Sequence, residues 1–347
     1  MSDLLFTKRP TQADVAKVAG VSRATVSYVL NDMESNIPIS AETRQRVLSA
    51  MAQLGYEPDT RAQSLRSGDS KIIGLLIPDI HNPHYWQIVD GIEEETYQAG
   101  YDLILAHSSV DKAREEHCIR SLSRRTVSGL IILTTQKSLE TSLVNRLRAL
   151  GRPVVGINAP GFDNNLTNYR LATKEILRYL LDLGHQRFAF INGVSDMKIG
   201  SDRLSVYLRI LRQQGFPEAH RLVETCGFGI EDGYNTAYKL LSKQPRPTAL
   251  IVINDWLAIG AIRAANDLGL RIPQDVSVVS FDDLPVSSYT VPRLTTVTRD
   301  AQQGGRLLAR LLLERIKDPS RDQQLVELPT KVVVRESTGP APGTGMD

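Results

Sequence analysis

From Lys71 onward the chain alternates short apolar runs with longer amphipathic stretches, and few architectures accept that rhythm. KIIGLLIPD, YDLILAHSS, SGLIILTT and PVVGIN read as four buried strands, with helices over about 86–99, 112–125 and 139–150 between them. A second series follows in RFAFING, VETCGF, ALIVIND and VSVVSFDD, with helices near 169–183, 201–214, 231–242 and 256–268. Strands that are apolar throughout must be covered on both faces, and a strand–helix–strand rhythm makes the sheet parallel. Two such series predict an α/β body of two doubly wound lobes. The tail adds TTVT, a helix near 300–316 and LVELPTKVVVREST, and GPAPGTGMD at 339–347 is expected to be disordered. Ligands of open α/β sheets bind beyond the carboxyl ends of the strands. That rule alone places a small-molecule cleft beside Asp79, Asn158, Asn192, Phe228, Asn254, Asp255 and Asp282.

The first 57 residues follow a different, helical period. TQADVAKVAGVSRATVSYVLN, Thr11 to Asn31, reads as two short helices around a tight turn. Ala13, Val15, Ala16 and Ala19 give the first helix a small apolar face, and Gly20 supplies the positive φ of the turn. Ser22 is the expected N-cap of the second helix. Val26, Val29 and Leu30 point inward there, leaving Arg23, Ala24, Thr25, Ser27 and Tyr28 outward. A short helix with small and hydroxylated residues around one arginine suits the DNA major groove. Ser40 caps a third helix over about Ala41–Leu54, with Val47, Leu48, Met51 and Leu54 as its stripe and Gly55 closing it. Tyr56-Glu57-Pro58 breaks the pattern, and Asp59 then precedes TRAQSLRSG, a helix of two turns that would fray on its own. Residues 1–70 carry eight basic and eight acidic groups. DNA binding must therefore rest on the placement of Lys8, Arg9, Lys17 and Arg23 around the second helix, with only Asp14 among them.

Several function classes are excluded on composition and motif. No run of about 18 apolar residues is present, so no membrane span is expected. MSDLLFTKRP lacks a charged-then-apolar leader, which points to the cytoplasm. The two cysteines, Cys118 and Cys226, are far apart and fit thiols in a reducing compartment, with no disulfide or metal pair. A dinucleotide-dependent enzyme needs G-x-G-x-x-G after a strand; the nearest string, Gly227 to Gly233, has its third glycine one place late. H-E-x-x-H and G-x-S-x-G strings are also missing, so no catalysis and no cofactor are expected. A solute-binding protein of the transport type would share the two-lobed body but would have no use for residues 1–70.

DVAKVAGVSRATVSYVLN closely resembles the N-terminal signature of the lac repressor (LacI/GalR) family of bacterial transcription regulators. The likeness continues through ISAETRQRVLSAMAQLGYEPDTRAQSLRSG and, more thinly, to VVVREST. The resemblance implies a helix-turn-helix headpiece (1–57), a hinge helix and linker (58–70) and a two-lobed periplasmic-binding-protein-like body (71–338). Lobe 1 would hold about 71–160 plus 295–318, and lobe 2 about 161–290 plus 322–338. It implies a homodimer that binds a near-palindromic operator under the control of a small molecule in the cleft. No apolar heptads follow VVVREST, so a dimer is the expected assembly. Leu65 falls at the family's wedge position, where an apolar side chain opens a base step, and Gln63 beside it is a candidate minor-groove contact. Arg23 and Ala24 occupy the first two recognition positions. Tyr28 stands where many relatives have arginine, so the preferred base should differ there. Thr11, Ser22, Thr25, Ser27 and Asn31 are placed for phosphate contacts.

On the body, Arg203 matches the arginine that grips effector oxygens, and Asp282 the acid that accepts effector hydroxyl or N–H groups. Asn254 and Asp255 match an Asn-Asp pair, of which one faces ligand and the other caps the next helix. His84 and Tyr85 match positions on the opposite lobe, and Phe228 is a candidate for stacking. This chain also departs from the family. A common acid is lost at Thr167-Asn168-Tyr169, another becomes Asn158, and Met197 and Ile199 are greasier than usual. The cleft should accordingly be less acidic than many sugar sites. A sugar or sugar derivative is the expected effector, with a purine or nucleoside as the alternative.

Overall fold

Capping chemistry sets the helices of the N-terminal residues. Helix α1 (Gln12–Ala19) starts where the Thr11 hydroxyl accepts the Asp14 N–H, while the Asp14 carboxylate accepts the Thr11 N–H at 2.8 Å. It stops at Gly20, whose φ of +66° lets the chain turn at once. Helix α2 (Arg23–Asn31) is capped by Ser22, whose Oγ accepts the Thr25 N–H at 3.0 Å. Helix α3 (Ala41–Leu54) is capped by Ser40 and closed by Gly55 at φ +60°. The computed structural model describes residues 10–31, 39–57, 69–125, 127–135, 139, 141–159, 161–193 and 198–343. The chain divides into two compact units, Met1–Ser70 and Lys71–Asp347.

The first unit packs Val15, Ala16, Ala19, Val26, Val29, Val47 and Ala50 into one core, sealed by Tyr56. Three expectations change here. Ala13 is exposed. On α3 the buried positions are Val47 and Ala50 with Met51 and Leu54 beside them, while Leu48 is 45% exposed. A helix stripe runs i, i+3, i+4, i+7, and Leu48 lies off it. Tyr56, read as part of a breaker, buries its ring instead.

In the second unit the strands and helices alternate as expected. They are β1 (Ile72–Ile77), α4 (Pro83–Gln98), β2 (Asp102–His107), α5 (Lys112–Arg124), β3 (Gly129–Leu133), α6 (Thr141–Ala149), β4 (Val154–Ile157) and β5 (Asp163–Thr167). Then come α7 (Tyr169–Asp182), β6 (Phe188–Asn192), α8 (Lys198–Gln213), β7 (Arg221–Thr225), α9 (Ile230–Leu241), β8 (Ala249–Val252), α10 (Asp255–Asp267) and β9 (Ser277–Val279). The chain ends with β10 (Thr296–Thr298), α11 (Ala301–Lys317), β11 (Leu325–Leu328) and β12 (Lys331–Val333). One sheet has the order β11-β5-β4-β3-β1-β2 and the other β7-β6-β8-β9, with parallel pairing throughout both. Each sheet is sandwiched between two apolar clusters.

Strand pairing moves the expected lobe boundaries. Residues 161–167 and 322–328 were assigned to lobe 2, but β5 pairs with β4 and β11 with β5 in the first sheet. β10 was assigned to lobe 1, but it pairs antiparallel with β12, and Val297 and Val332 pack in a core of the second lobe. The strand β5, DNNLT, carries no apolar run. It is buried by polar contacts: Arg315 grips the Asp163 carboxylate at 2.9 Å through two nitrogens, and the Asn165 amide donates to the Gly304 carbonyl. The chain crosses between the sheets after β5, after β10 and after β11, the three crossovers that the resemblance implies.

Two helix pairs close on glycines. A Cβ on Gly91 of α4 would lie 2.0 Å from the Gln302 carbonyl oxygen of α11, and one on Gly305 would lie 2.1 Å from that of Ile88. Gly233 of α9 and Gly260 of α10 repeat the device in the second lobe, at 2.1 and 2.0 Å from facing carbonyls. The expected disordered tail is in part packed. Ala341 is buried and donates its N–H to Leu183, and the Gly339 carbonyl accepts from His185 and Ser277. Residues 344–347 lie outside the described residues.

Candidate functional site

The carboxyl ends of both parallel sheets border one cavity of about 280 Å³. Seven of the eight residues singled out from the sequence line it: His84, Tyr85, Asn158, Arg203, Phe228, Asn254 and Asp282. Of the residues the strand-end rule named, Asp79, Asn158, Phe228, Asn254 and Asp282 line the cavity, and His84, Tyr85 and Arg203, named from the resemblance, join them.

Asp282 follows β9 with φ at +112°, a region that non-glycine residues rarely enter and that tends to mark functional sites. Its N–H is held by the Val297 carbonyl at 2.9 Å, which aims the carboxyl across the cleft. Burial, with the repulsion of Asp255 added, pushes that carboxyl up to about 7 although Arg203 and Arg299 pull the other way. His84 is positioned by Asn82, which caps α4 and accepts the His84 N–H at 2.9 Å. Burial and the nearby Arg299 and Arg203 charges hold its imidazole well below the usual range, so the ring is neutral. Arg299 Nη2 contacts His84 Nε2, and because a guanidinium can only donate, Nε2 accepts and the proton sits on Nδ1. That Nδ1 faces Asp282 at 3.8 Å, beyond hydrogen-bond reach, and has no other partner.

Arg203, on α8, is 2% exposed. Its Nη1 donates to the Ile253 carbonyl at 3.1 Å, and its guanidinium lies 3.6 Å above the Tyr169 ring and 4.3 Å from the Phe281 ring. Burial lowers its pKa, and Tyr169 and Asp282 counteract that. Tyr85 is half-buried and meets the His84 ring edge-on at 5.6 Å, and burial together with Asp282 pushes its phenol up. Asn158 follows β4 at φ +58°, a conformation asparagine tolerates, and donates to the Thr134 carbonyl. Phe228 lies over Gly193, where any Cβ would come within 2.1 Å of its ring.

The Asn-Asp pair is resolved by its hydrogen bonds. Asn254 caps α10, accepting the Leu257 N–H at 2.7 Å, and it also borders the cavity. Asp255 does not line the cavity, contrary to the sequence reading. It is fully buried, and its carboxylate accepts from Ser280, Ser287 and Thr296 hydroxyls and the Leu284 N–H. Those donors come from loops and strands far along the chain, so no local pattern announces them. Asn192 also misses the cavity lining, and both polar atoms of its buried side chain lack a partner. Asp79 does line it. Met197 lies outside the described residues.

Two important cavity residues escaped the sequence reading. Arg299 is 7% exposed and donates to Thr167 Oγ1 at 3.0 Å. Tyr169 was noted only for an absent acid, yet its ring lies beneath the guanidinium groups of both Arg203 and Arg299. Applying the strand-end rule to β10 as well would have found Arg299, which is the first residue after it.

On the first unit, Arg23, Ala24 and Tyr28 of α2 are exposed, as expected. Thr11 and Ser22 are exposed too, although both hydroxyls already cap helices. Thr25 and Ser27 are half-buried rather than outward, and Thr25 Oγ1 lies 2.9 Å from Ser22 Oγ. Asn31 is the last residue of α2. Gln63 and Leu65 lie outside the described residues. Among the described residues no group of histidine, cysteine and acidic side chains could hold a metal ion, and no helix is long and apolar enough to cross a membrane. Cys118 and Cys226 are free thiols.

Comparison with known proteins covers both units. Residues 11–59 match the family of bacterial regulatory proteins, lacI family, and residues 177–338 match the periplasmic binding protein-like domain. The HTH-type transcriptional repressor PurR of Pectobacterium atrosepticum is 30% identical over 338 residues, covering 96% of this chain and 98% of that protein. The ribose operon repressor of Haemophilus influenzae is 31% identical over 332 residues, covering 94% and 98%. Among solved structures, the lac repressor dimer bound to operator and the anti-inducer ONPF is similar at a TM-score of 0.83. That match has 28% identity and covers 96% of this chain and all of the other.

Proposed function

The chain belongs to the lacI family of bacterial regulatory proteins, and on that premise we propose that it is a dimeric, operator-binding transcription repressor governed by a small molecule in the cleft of its second unit. The observation that carries this reading is the matched segment 11–59, in which α2 turns Arg23, Ala24 and Tyr28 outward. Arg23 reads a guanine edge, Tyr28 contacts a neighbouring base, and Thr11, Ser22, Thr25, Ser27 and Asn31 set register on the phosphates. Leu65 wedges a base step at the operator centre, with Gln63 beside it. The protein works in the cytoplasm by binding rather than catalysis. Its effector shifts the equilibrium between two lobe arrangements, and only a difference in affinity for the two can do so.

His84, Tyr85, Asn158, Arg203, Phe228, Asn254 and Asp282 hold that effector, which we take to be a sugar or sugar derivative. A purine is the second reading, favoured by the Tyr169 and Phe228 rings at the cavity and by the relatives named PurR. The test is selection from random DNA with the full chain. A near-palindromic consensus is expected. Arg23→Ala should lower affinity for it by about 1–3 kcal/mol and relax one base pair per half-site. An unchanged consensus with uniformly weaker binding would remove Arg23 from base reading.

A further inference from the structure

Among the described residues, the wall of the cavity holds more positive charge than the groups around it neutralise. Arg203 and Arg299 are both more than nine-tenths buried, and both guanidinium groups address one ring, Tyr169, at 3.6 and 5.6 Å from its centroid. The Nε atom of each is buried with no hydrogen-bond partner. Their hydrogen-bond acceptors are uncharged: the Ile253 carbonyl, the Thr167 hydroxyl and the neutral His84 imidazole. Among the described residues one carboxyl, Asp282, stands against the two permanent cations, and burial pushes it up to about 7 and so leaves it partly protonated at neutral pH.

The other acids on the lining are occupied or wet. Asp202 pairs with Arg170 at 2.8 Å, Asp79 accepts the His81 N–H, and Glu327 is exposed. Isolated buried charge is costly, and a partner carrying the opposite charge removes that cost. Arg299 is also the better-placed contributor, since it joins the crossover after β10 to His84 on the opposite lobe.

We propose that the effector carries an oxyanion, a carboxylate or a phosphate, seated between the guanidinium groups of Arg203 and Arg299. This rests on the cavity being the effector site. The oxyanion meets planar donor forks suited to it, and Tyr169 backs them. The body of the ligand faces Asn158, Phe228 and Asn254. Closing the lobes around the anion brings Arg299 and His84 to bear on it together, so the charge itself supplies a difference in affinity between open and closed arrangements.

The first experiment measures thermal unfolding of the full chain in inorganic phosphate and, separately, in acetate, each against chloride at matched ionic strength. Wild type should rise above the chloride control in at least one arm. Phosphate alone would indicate a phosphorylated effector, and acetate alone a carboxylic acid. Arg299→Gln should raise the anion concentration needed by about tenfold or more, the loss expected for one charge-assisted hydrogen bond. Arg299→Lys should restore part of it. No rise in either arm, or an equal rise in Arg299→Gln, overturns the proposal.

A second experiment offers glucose, gluconate and glucose 6-phosphate to the complex with the selected DNA. A response to glucose alone overturns the anion while leaving the effector reading standing. Stabilisation by an anion with DNA affinity unchanged supports the anion site and refutes allosteric control through it.

Discussion

Replacing Asp255 separates a structural carboxylate from a ligand contact. The side chain is fully buried, and one oxygen accepts from Ser280 and from Thr296 Oγ1 at 2.6 Å. The other accepts from Ser287 Oγ at 2.6 Å and from the Leu284 N–H at 2.7 Å. Burial pushes this carboxyl up, and the four donors work against that. Asp255→Ala removes the acceptor for all four. A buried donor left without a partner costs about 1–3 kcal/mol. Hydroxyls can rotate towards other acceptors, but the Leu284 N–H cannot. A net loss of about 4 kcal/mol is expected, a large share of the roughly 5–15 kcal/mol that holds a domain together. Asp255→Asn keeps one acceptor oxygen for the Leu284 N–H and turns its NH2 towards the Ser280 and Thr296 hydroxyls, which can rotate to accept, so the loss should be smaller, about 2 kcal/mol. The assay is urea unfolding followed by circular dichroism, run beside the anion-binding titration. A loss below about 1 kcal/mol accompanied by loss of ligand binding would refute the reasoning and return Asp255 to the cavity.

Two further perturbations probe the second unit. Glu115, buried on α5, accepts the Thr134 hydroxyl at 2.8 and 2.9 Å, and burial pushes it from 4.5 up to about 7. Below 4.5 both folded and unfolded chains hold the proton and nothing is lost. As pH rises towards 7 only the unfolded chain releases it, so the folded state loses ground. Stability of Glu115→Gln relative to wild type should therefore grow by roughly 2.5 kcal/mol between pH 5 and pH 8, measured by urea unfolding. A gap that does not change with pH would show that the carboxyl is solvated. Gly91→Ala drives a methyl into the Gln302 carbonyl, so α4 and α11 must separate. A loss of about 3 kcal/mol is expected, and an unchanged unfolding midpoint would mean that the crossing is looser than described.

Much of the architecture follows from patterns that are local in the chain. The apolar runs of β1, β3, β6 and β8 are buried on both faces, so their period alone announces a parallel sheet. Helix starts were legible for the same reason: Thr11, Ser22 and Ser40 cap through bonds to residues three places on. Cavity residues at strand ends, such as Asn158 and Asp282, followed from the sheet rule without reference to their neighbours.

The tertiary structure decided whatever depends on partners remote in sequence. β5 is a strand because it pairs with β4 and β11, while Arg315 and Gly304, on α11, hold its Asp163 carboxylate and the Asn165 NH2. Asp255 and Asn254 are adjacent acceptors of similar size, and only donors more than twenty residues away from Asp255 turn one into a core anchor and leave the other at the cavity. Arg299 became a cavity residue because its crossover lies against His84, 215 positions earlier. A sequence determines caps, periods and strand ends because these need only short-range geometry. Buried charge and polar pairing are settled by which distant groups share a low-dielectric space, and that is known only once the chain has folded.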